Sequence, residues 1–476
     1  MTIFHPLALV AGHNANNGFL DRQYAGRAHF IYNSLGHNTM RLKRIATIAI
    51  AVLALCSSAM LLAQGLPIAA PELVGMSGQR LSRIGEAFTR EIDKGNMAGV
   101  VVLVARKGHL VYSTALGFQN KQTGKAMSKD TIFRIYSMTK PLVSVAAMML
   151  VEDGKIELTD PVSKFLPAMK GLQVSVPKAD AVFAKMTYTL VPADREMTVH
   201  DLLRHTSGLA YGEITQNAPV KEAYTKAGVY RTSIDYDARD LSPSDEVERI
   251  SKAPLAHQPG TVFEYSLASD MLGRVVEAVS GKRLAEFLDE RLFKPLAMSD
   301  SGFWVPGDKL GRVAEPLPVD APSGKPSKLI DVSAVPNNDS GGAGAVSTPG
   351  DYLRFAQMLL NGGQLDGTRV LSRTTVALMT SDSLGTRIEA PITPGEMLLG
   401  TPGYTFGLGF AVRQGPGVAG VPGSAGEFMW AGYAGTYFWV DPKEQIVGVY
   451  MTQAPSPIRA YYRKLFKQLV YAAIVD

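Results

Sequence analysis

The chain carries strand-like runs near both of its ends and few in between. Residues 100–105 and 110–115 are apolar and rich in β-branched side chains, and they flank Arg106-Lys107-Gly108-His109, the pattern of a β-hairpin. Over the last seventy residues the pattern returns at 404–412, 433–440 and 446–452, with a helical stretch over 457–474. A hairpin at one end and strands at the other predict one antiparallel sheet built from both termini, with the middle of the chain inserted as a second lobe. The expected class is α+β: an antiparallel sheet flanked by helices plus an inserted helical domain. The sheet lobe is drawn from about 80–136 and 345–476 and the helical lobe from about 141–344.

The middle of the chain reads as helices joined by long irregular connections. Residues 137–152 are apolar at helical spacing and stop at Asp153-Gly154, and Pro141 is tolerated because it falls in the first turn. Further helices are predicted at 198–204, 244–252, 267–280, 283–292 and 349–361, the last ending in Asn361-Gly362-Gly363. The segments 171–196, 211–240 and 305–340 are rich in Pro, Gly and polar residues and too long to be simple links, so they are assigned to the walls of a substrate cleft. No internal repeat and no low-complexity tract is present.

Residues 40–65 stand apart from this plan. Arg41, Lys43 and Arg44 precede an apolar run from Ile45 to Leu55, and small residues follow at Ser57, Ala59, Ala63 and Gly65. That is the layout of a secretory signal peptide, with an uncleaved membrane anchor as the alternative. Residues 1–39 lack core-forming periodicity and are read as an upstream extension, with translation starting at Met40. The mature chain, 75–476 in its folded part, is then expected to be periplasmic or secreted.

Setting the leader aside changes what the charge implies. Residues 1–65 hold five of the 48 basic side chains and one of the 43 acidic ones, so the remainder is close to neutral and no basic patch argues for nucleic acid. The single cysteine, Cys56, also lies in the leader, which excludes a disulfide scaffold, a thiolate nucleophile and a Cys-ligated metal in the mature chain. With 46% hydrophobic and 19% charged residues, the chain can bury a core. No metal-binding cluster, phosphate-binding glycine loop or cofactor motif is found.

Three short segments carry chemistry. In Ser137-Met138-Thr139-Lys140, side chains three apart share a helical face, so the serine hydroxyl and the lysine amine approach each other. Burial of Lys140 in an apolar stretch favours its neutral, proton-accepting form, and a helix N-terminus favours a nearby oxyanion. The spacing alone is weak evidence. An ordinary helix cap also explains Ser137, and Ser175-Val176-Pro177-Lys178 repeats the spacing where Pro177 argues against a helix. Tyr265, at the mouth of a helix, can relay a proton; Trp430-Ala431-Gly432-Tyr433, placed at the start of a strand, lets the backbone approach a ligand. Each also has a plainer reading, as an interfacial tyrosine and a core tryptophan. A Ser-His-Asp triad is disfavoured: only His109, His200, His205 and His257 follow the leader, no Gly-x-Ser-x-Gly elbow exists, and His205 suits a structural hydrogen bond.

Taken in order, these segments resemble the class C β-lactamase and penicillin-binding-protein-like superfamily, most closely the family VIII carboxylesterases, from about residue 75 to 470. The resemblance rests on Phe133 to Lys140, Leu202 to Leu209, Phe263 to Leu267, Ser340 to Gly344 and Trp430 to Gly432. It implies Ser137 as nucleophile, Lys140 and Tyr265 as proton-transfer partners, and the N–H groups of Ser137 and Tyr433 as oxyanion hole, with Trp430 and Gly432 at the substrate. Leu267 stands where many lactam-recognising relatives carry Asn, and Trp430 where they carry Lys. Groups that would hold a lactam are thereby lost. The expectation is a carboxylesterase for short-chain or small aromatic esters, needing no cofactor and only a small-molecule ester as partner. The alternatives are a β-lactamase or D-amino-acid peptidase, a transacylase, and a non-catalytic binding or sensor protein of the same fold.

Overall fold

Lys107 and Gly108 both adopt left-handed backbone angles, with φ of 51° and 78°. That pair forms the two-residue turn whose twist matches the strands it joins. In the computed structural model, which describes residues 65–180, 185–230 and 239–476, it connects β1 (Gly99–Arg106) to β2 (His109–Asn120) with Arg106 opposite His109. The predicted upstream extension 1–39 and all but the last residue of the predicted leader 40–65 lie outside the described residues.

Along the chain follow β3 (Lys125–Ala126), β4 (Phe133–Arg134), β5 (Gln173–Asp180), β6 (Lys185–Pro192), β7 (Val346–Ser347), β8 (Gln364–Leu365) and β9 (Thr368–Arg369). The C-terminal strands are β10 (Tyr404–Phe406), β11 (Ala411–Arg413), β12 (Phe428–Ala431), β13 (Tyr437–Asp441) and β14 (Ile446–Thr452). Eight of them form one sheet in the order β10-β11-β12-β13-β14-β1-β2-β3. Its seam is the antiparallel pairing of β14 with β1, from Val100 opposite Thr452 to Arg106 opposite Ile446. The sheet is therefore assembled from strands near both ends of the described chain, and the fold is α+β, an antiparallel sheet flanked by helices, as expected.

Helices cover both faces because neighbouring strand residues point to opposite sides. Phe438 turns to the helix Pro349–Leu360, where its ring lies 5.0 Å from Tyr352. Its neighbour Trp439 turns the other way, 5.0 Å from Phe466 of the helix Arg459–Tyr471. The helix Gly78–Asp93 joins the second layer through Phe88, 5.1 Å from Tyr450. This helix is absent from the sequence expectations, although Ser77 caps it and Leu81, Ile84 and Phe88 fall on one buried face.

Several expectations need redrawing. Segment 171–196, read as irregular, contains the β5–β6 hairpin, in which Pro177 pairs with Tyr188. Proline is accepted there because the outer-edge pairing of β5, with Leu255, involves Gln173 and Ser175 and stops short of Pro177. The run 404–412 is two strands, not one, since the chain reverses where the Gly407 amide donates to the Phe410 carbonyl at 2.8 Å. Trp430 and Ala431 are the last two residues of β12 rather than the start of a strand, and 433–436 is the turn before β13. Among the described residues no helix is long and apolar enough to cross a membrane.

Candidate active site

Ser137 sits in a 3-10 turn (Tyr136–Met138) that feeds directly into the helix Thr139–Glu152. That helix is apolar around nearly its whole circumference and is buried accordingly. Ser137 is the one partly exposed residue from Thr131 to Leu150. The residue before it, Tyr136, holds φ at 45°, a left-handed angle unusual for an aromatic side chain. The backbone is thus bent where the hydroxyl is presented to the cleft.

Lys140, one turn on, is 1% exposed. Its Nζ donates to the Gly342 carbonyl at 2.8 Å, to the Tyr211 hydroxyl at 3.0 Å and to Ser137 Oγ at 3.4 Å. Those three bonds use the three donors of an ammonium group. Tyr265 comes closer to the serine: its hydroxyl donates to Ser137 Oγ at 2.6 Å. The Lys140 nitrogen also lies 4.7 Å from the centre of the Tyr265 ring.

Tyr265 is held by rings on several sides. His205 lies 5.1 Å away, Tyr211 5.2 Å and Trp430 5.5 Å, centre to centre. Burial, and next to it the charge of Lys140, pushes the His205 imidazole well below its ordinary value. Its Nδ1 is 3.1 Å from Ser266 Oγ. His205 therefore acts as a neutral packing and hydrogen-bonding residue beneath the tyrosine. Burial, followed by the neighbouring Tyr265, raises the Tyr211 hydroxyl well above its usual value, so Tyr211 stays a neutral phenol.

The opposite wall comes from the turn after β12. A side chain at Gly432 would collide with the Ile135 carbonyl and the Thr436 hydroxyl, so only glycine lets this turn press against the segment before Ser137. The Gly432 amide donates to Thr436 at 2.8 Å, and the Arg463 guanidinium donates to the Gly432 carbonyl at 2.9 Å. Tyr433 is thereby set 5.5 Å from Tyr136, ring to ring.

These elements enclose a cleft of about 290 Å³ lined by Ser137, Tyr211, Tyr265, Gly432, Tyr433 and Arg459, among others. Of the residues expected at the site, Ser137, Tyr265, Gly432 and Tyr433 line it and Lys140 lies just beneath. Trp430 is fully buried behind Tyr265, and Leu267 is 1% exposed in the core, so neither offers a polar group to the cleft. Tyr211 is a cleft residue that sequence reasoning passed over; its only signal is its place just after His205-Thr206-Ser207-Gly208. The decoy serine, Ser175, is buried in β5, hydrogen-bonded to Asn217 at 2.9 Å. Of the three expected cleft loops, 171–196 and 211–240 contribute walls here or next door, while 305–340 lines neither space.

A family model described as Beta-lactamase matches residues 84–471. Protein Rv1367c of Mycobacterium tuberculosis is 34% identical over 377 residues, covering 77% of this chain and 89% of that protein. Esterase EstB of Burkholderia gladioli is 32% identical, covering 76% of this chain and 87% of its own. The solved structure of EstCE1, described as a hydrolase with promiscuous acyltransferase activity, superposes with a TM-score of 0.67 at 27% identity, over 83% of this chain and 99% of that one.

Proposed function

The chain belongs to the β-lactamase-like serine hydrolase family, and from that membership we propose that it is a carboxylesterase working through an acyl-enzyme on Ser137. The carrying observation is the 2.6 Å contact between the Tyr265 hydroxyl and Ser137 Oγ, shorter than the 3.4 Å to Lys140. In this reading Tyr265 reacts as its phenolate, with the Lys140 ammonium beside it as counter-charge, and takes the serine proton as Oγ attacks the ester carbonyl. The tetrahedral oxyanion is received by the backbone N–H groups of Ser137 and Tyr433. Collapse breaks the bond to the alcohol oxygen, which takes its proton back from Tyr265. Water then repeats the sequence on the acyl-enzyme and releases the acid.

Support for an ester over a lactam comes from Leu267 and Trp430, both withdrawn into the core, and from the EstB and EstCE1 relatives. One observation favours a second reading. Arg459 lines the cleft beside Tyr433, 5.2 Å from its ring, and a guanidinium suits the carboxylate of a lactam or D-amino-acid peptide. Rates with p-nitrophenyl butyrate and nitrocefin separate the two. A faster ester rate is expected, and a nitrocefin rate equal to or above it overturns the esterase reading.

The basic and apolar pattern of residues 40–65 supports export to the periplasm or medium. N-terminal sequencing of the protein recovered outside the cytoplasm is expected to begin just beyond that segment. A start at Met1 or Met40 in the recovered protein rules out cleavage.

A further inference from the structure

Beyond Tyr265 the cleft continues into a larger chamber of about 730 Å³, which shares Ile214, Tyr265 and Met397 with it. Its size is that of a site for a drug-sized ligand, whereas the cleft at Ser137 suits a small group. One wall is a single face of the β5–β6 hairpin: Pro177 and Tyr188 are cross-strand partners, and Met186 lies two residues from Tyr188 on the same face. A second wall is Val262 and Phe263. A third is Pro391 and Ile392, in a segment tied to the second by the Phe263 amide donating to the Glu389 carbonyl at 2.7 Å and the Glu389 amide to Thr261 at 3.0 Å. These walls are therefore joined through backbone rather than through side chains alone.

The chamber offers little to a polar group. Asn217 is committed to Ser175 through both its amide atoms, and His257 Nε2 lies 2.5 Å from Glu264 Oε2. At its rim Met186, Ile392 and Ile214 are left 53%, 56% and 36% exposed. Apolar side chains held in water around an apolar cavity mark a place where an apolar group is received.

Position decides which part of a substrate enters. Tyr265 returns the proton to the departing oxygen, so the space that opens past Tyr265 lies on the leaving-group side, and the Tyr433 turn lies across the cleft from it. We propose that this chamber is the subsite for the alcohol portion of the ester, and that it selects a bulky apolar alcohol, long-chain or alicyclic, on a small acyl group. The assignment rests on the esterase reading above and deepens it.

The test is a series of butyrate esters with methyl, butyl, octyl and cyclohexylethyl alcohols, set against a methyl ester series of rising acyl length. For the alcohol series kcat/KM is expected to rise roughly three- to fourfold per methylene over the first carbons, the worth of a buried CH₂. Glutamates at both rim positions, M186E with I392E, are expected to lower the octyl-to-methyl ratio at least tenfold and to weaken competitive inhibition by 1-octanol. Leu73→Glu, at an exposed apolar residue outside the chamber, is expected to leave that ratio unchanged. Both rim side chains are more than half exposed, so the fold tolerates their replacement. A flat alcohol series, a ratio unmoved in the double variant, or a double variant that blunts the acyl series instead each overturns the assignment while leaving the esterase intact. Absence of turnover on every ester sinks the esterase reading itself, and the alcohol subsite with it.

Discussion

The Gly342 peptide links Asp270 to Lys140: its N–H donates to Asp270 Oδ1 at 3.0 Å, and its carbonyl accepts from Lys140 Nζ at 2.8 Å. Asp270 is fully buried and also accepts from Ser340 Oγ at 2.6 Å. A side chain at Gly342 would strike the same carboxylate, so the glycine permits the approach. Asp270 touches neither Ser137 nor the cleft and acts by positioning. Asp270→Ala is expected to lower kcat by roughly ten- to a hundredfold, the loss of a buried charge-assisted hydrogen bond, with little change in KM. Asp270→Asn, which keeps the Oδ1 acceptor, is expected to recover most of it. Equal losses in both variants, or a loss confined to KM, contradict the positioning role.

Ser137→Ala and Tyr265→Phe test the reacting pair. Removing the nucleophile is expected to lower kcat at least about 10³-fold on p-nitrophenyl butyrate. Removing only the phenolic oxygen is expected to cost about 10²- to 10⁴-fold. The ring contacts to His205, Tyr211 and Trp430 survive in the phenylalanine variant. Its melting temperature should therefore stay close to wild type, which separates a chemical loss from a folding defect.

Tyr211→Phe provides the graded comparison. The Tyr211 hydroxyl accepts from Lys140 at 3.0 Å but does not touch Ser137. Its removal is expected to cost about fivefold in kcat, the net worth of one hydrogen bond of about 1 kcal/mol. A loss as deep as that of Tyr265→Phe would make Tyr211 a direct participant in proton transfer.

Acid stability should report on Asp201, which anchors the turn carrying His205. Its carboxylate accepts from Arg195 at 2.6 and 3.0 Å, from the Thr198 amide at 2.9 Å and from Thr206 Oγ1 at 2.9 Å. Burial alone would raise this carboxyl, but Arg195 and Thr198 outweigh it and bring it down to about 2. A folded value below the ordinary 3.8 means that the stabilisation is complete above about pH 4 and is lost as pH falls toward 2. It amounts to roughly 2 kcal/mol. Melting curves of wild type and Asp201→Asn are expected to differ widely at pH 6 and to converge near pH 2. A gap that stays constant over that range refutes the assignment.

The sequence shows most clearly what is local. Lys107-Gly108 announces a hairpin because left-handed angles suit few residues, and 137–152 reads as a buried helix because no polar stripe interrupts it. Ser137, Lys140 and Tyr265 were legible because short motifs surround them. Tyr211 was not, for its function depends on meeting Lys140 across 71 residues. The chamber was missed for the same reason. Pro177 disguised β5 as a loop, and the segment around Ile392, which forms another wall, carries no local pattern at all. The connection 305–340 looked like its neighbours in composition but lines neither space; it backs the cleft wall from behind, where the Ile330 amide donates to the Tyr136 hydroxyl at 3.0 Å.

The seam between β1 and β14 also sets a timetable. The Thr452 hydroxyl donates to the Gly99 carbonyl across 353 residues of chain, so the central strand waits for its partner until the last segment has been synthesised. At roughly 5–20 residues per second, that is a delay of about 20–70 s. During it Ser137 already exists, but the Gly432 turn that faces it does not, so a nascent chain carries its nucleophile before it has a site to use it in. Loss of β13 and β14 should leave an open sheet edge and no catalyst, which makes their pairing with β1 a late step in switching the enzyme on.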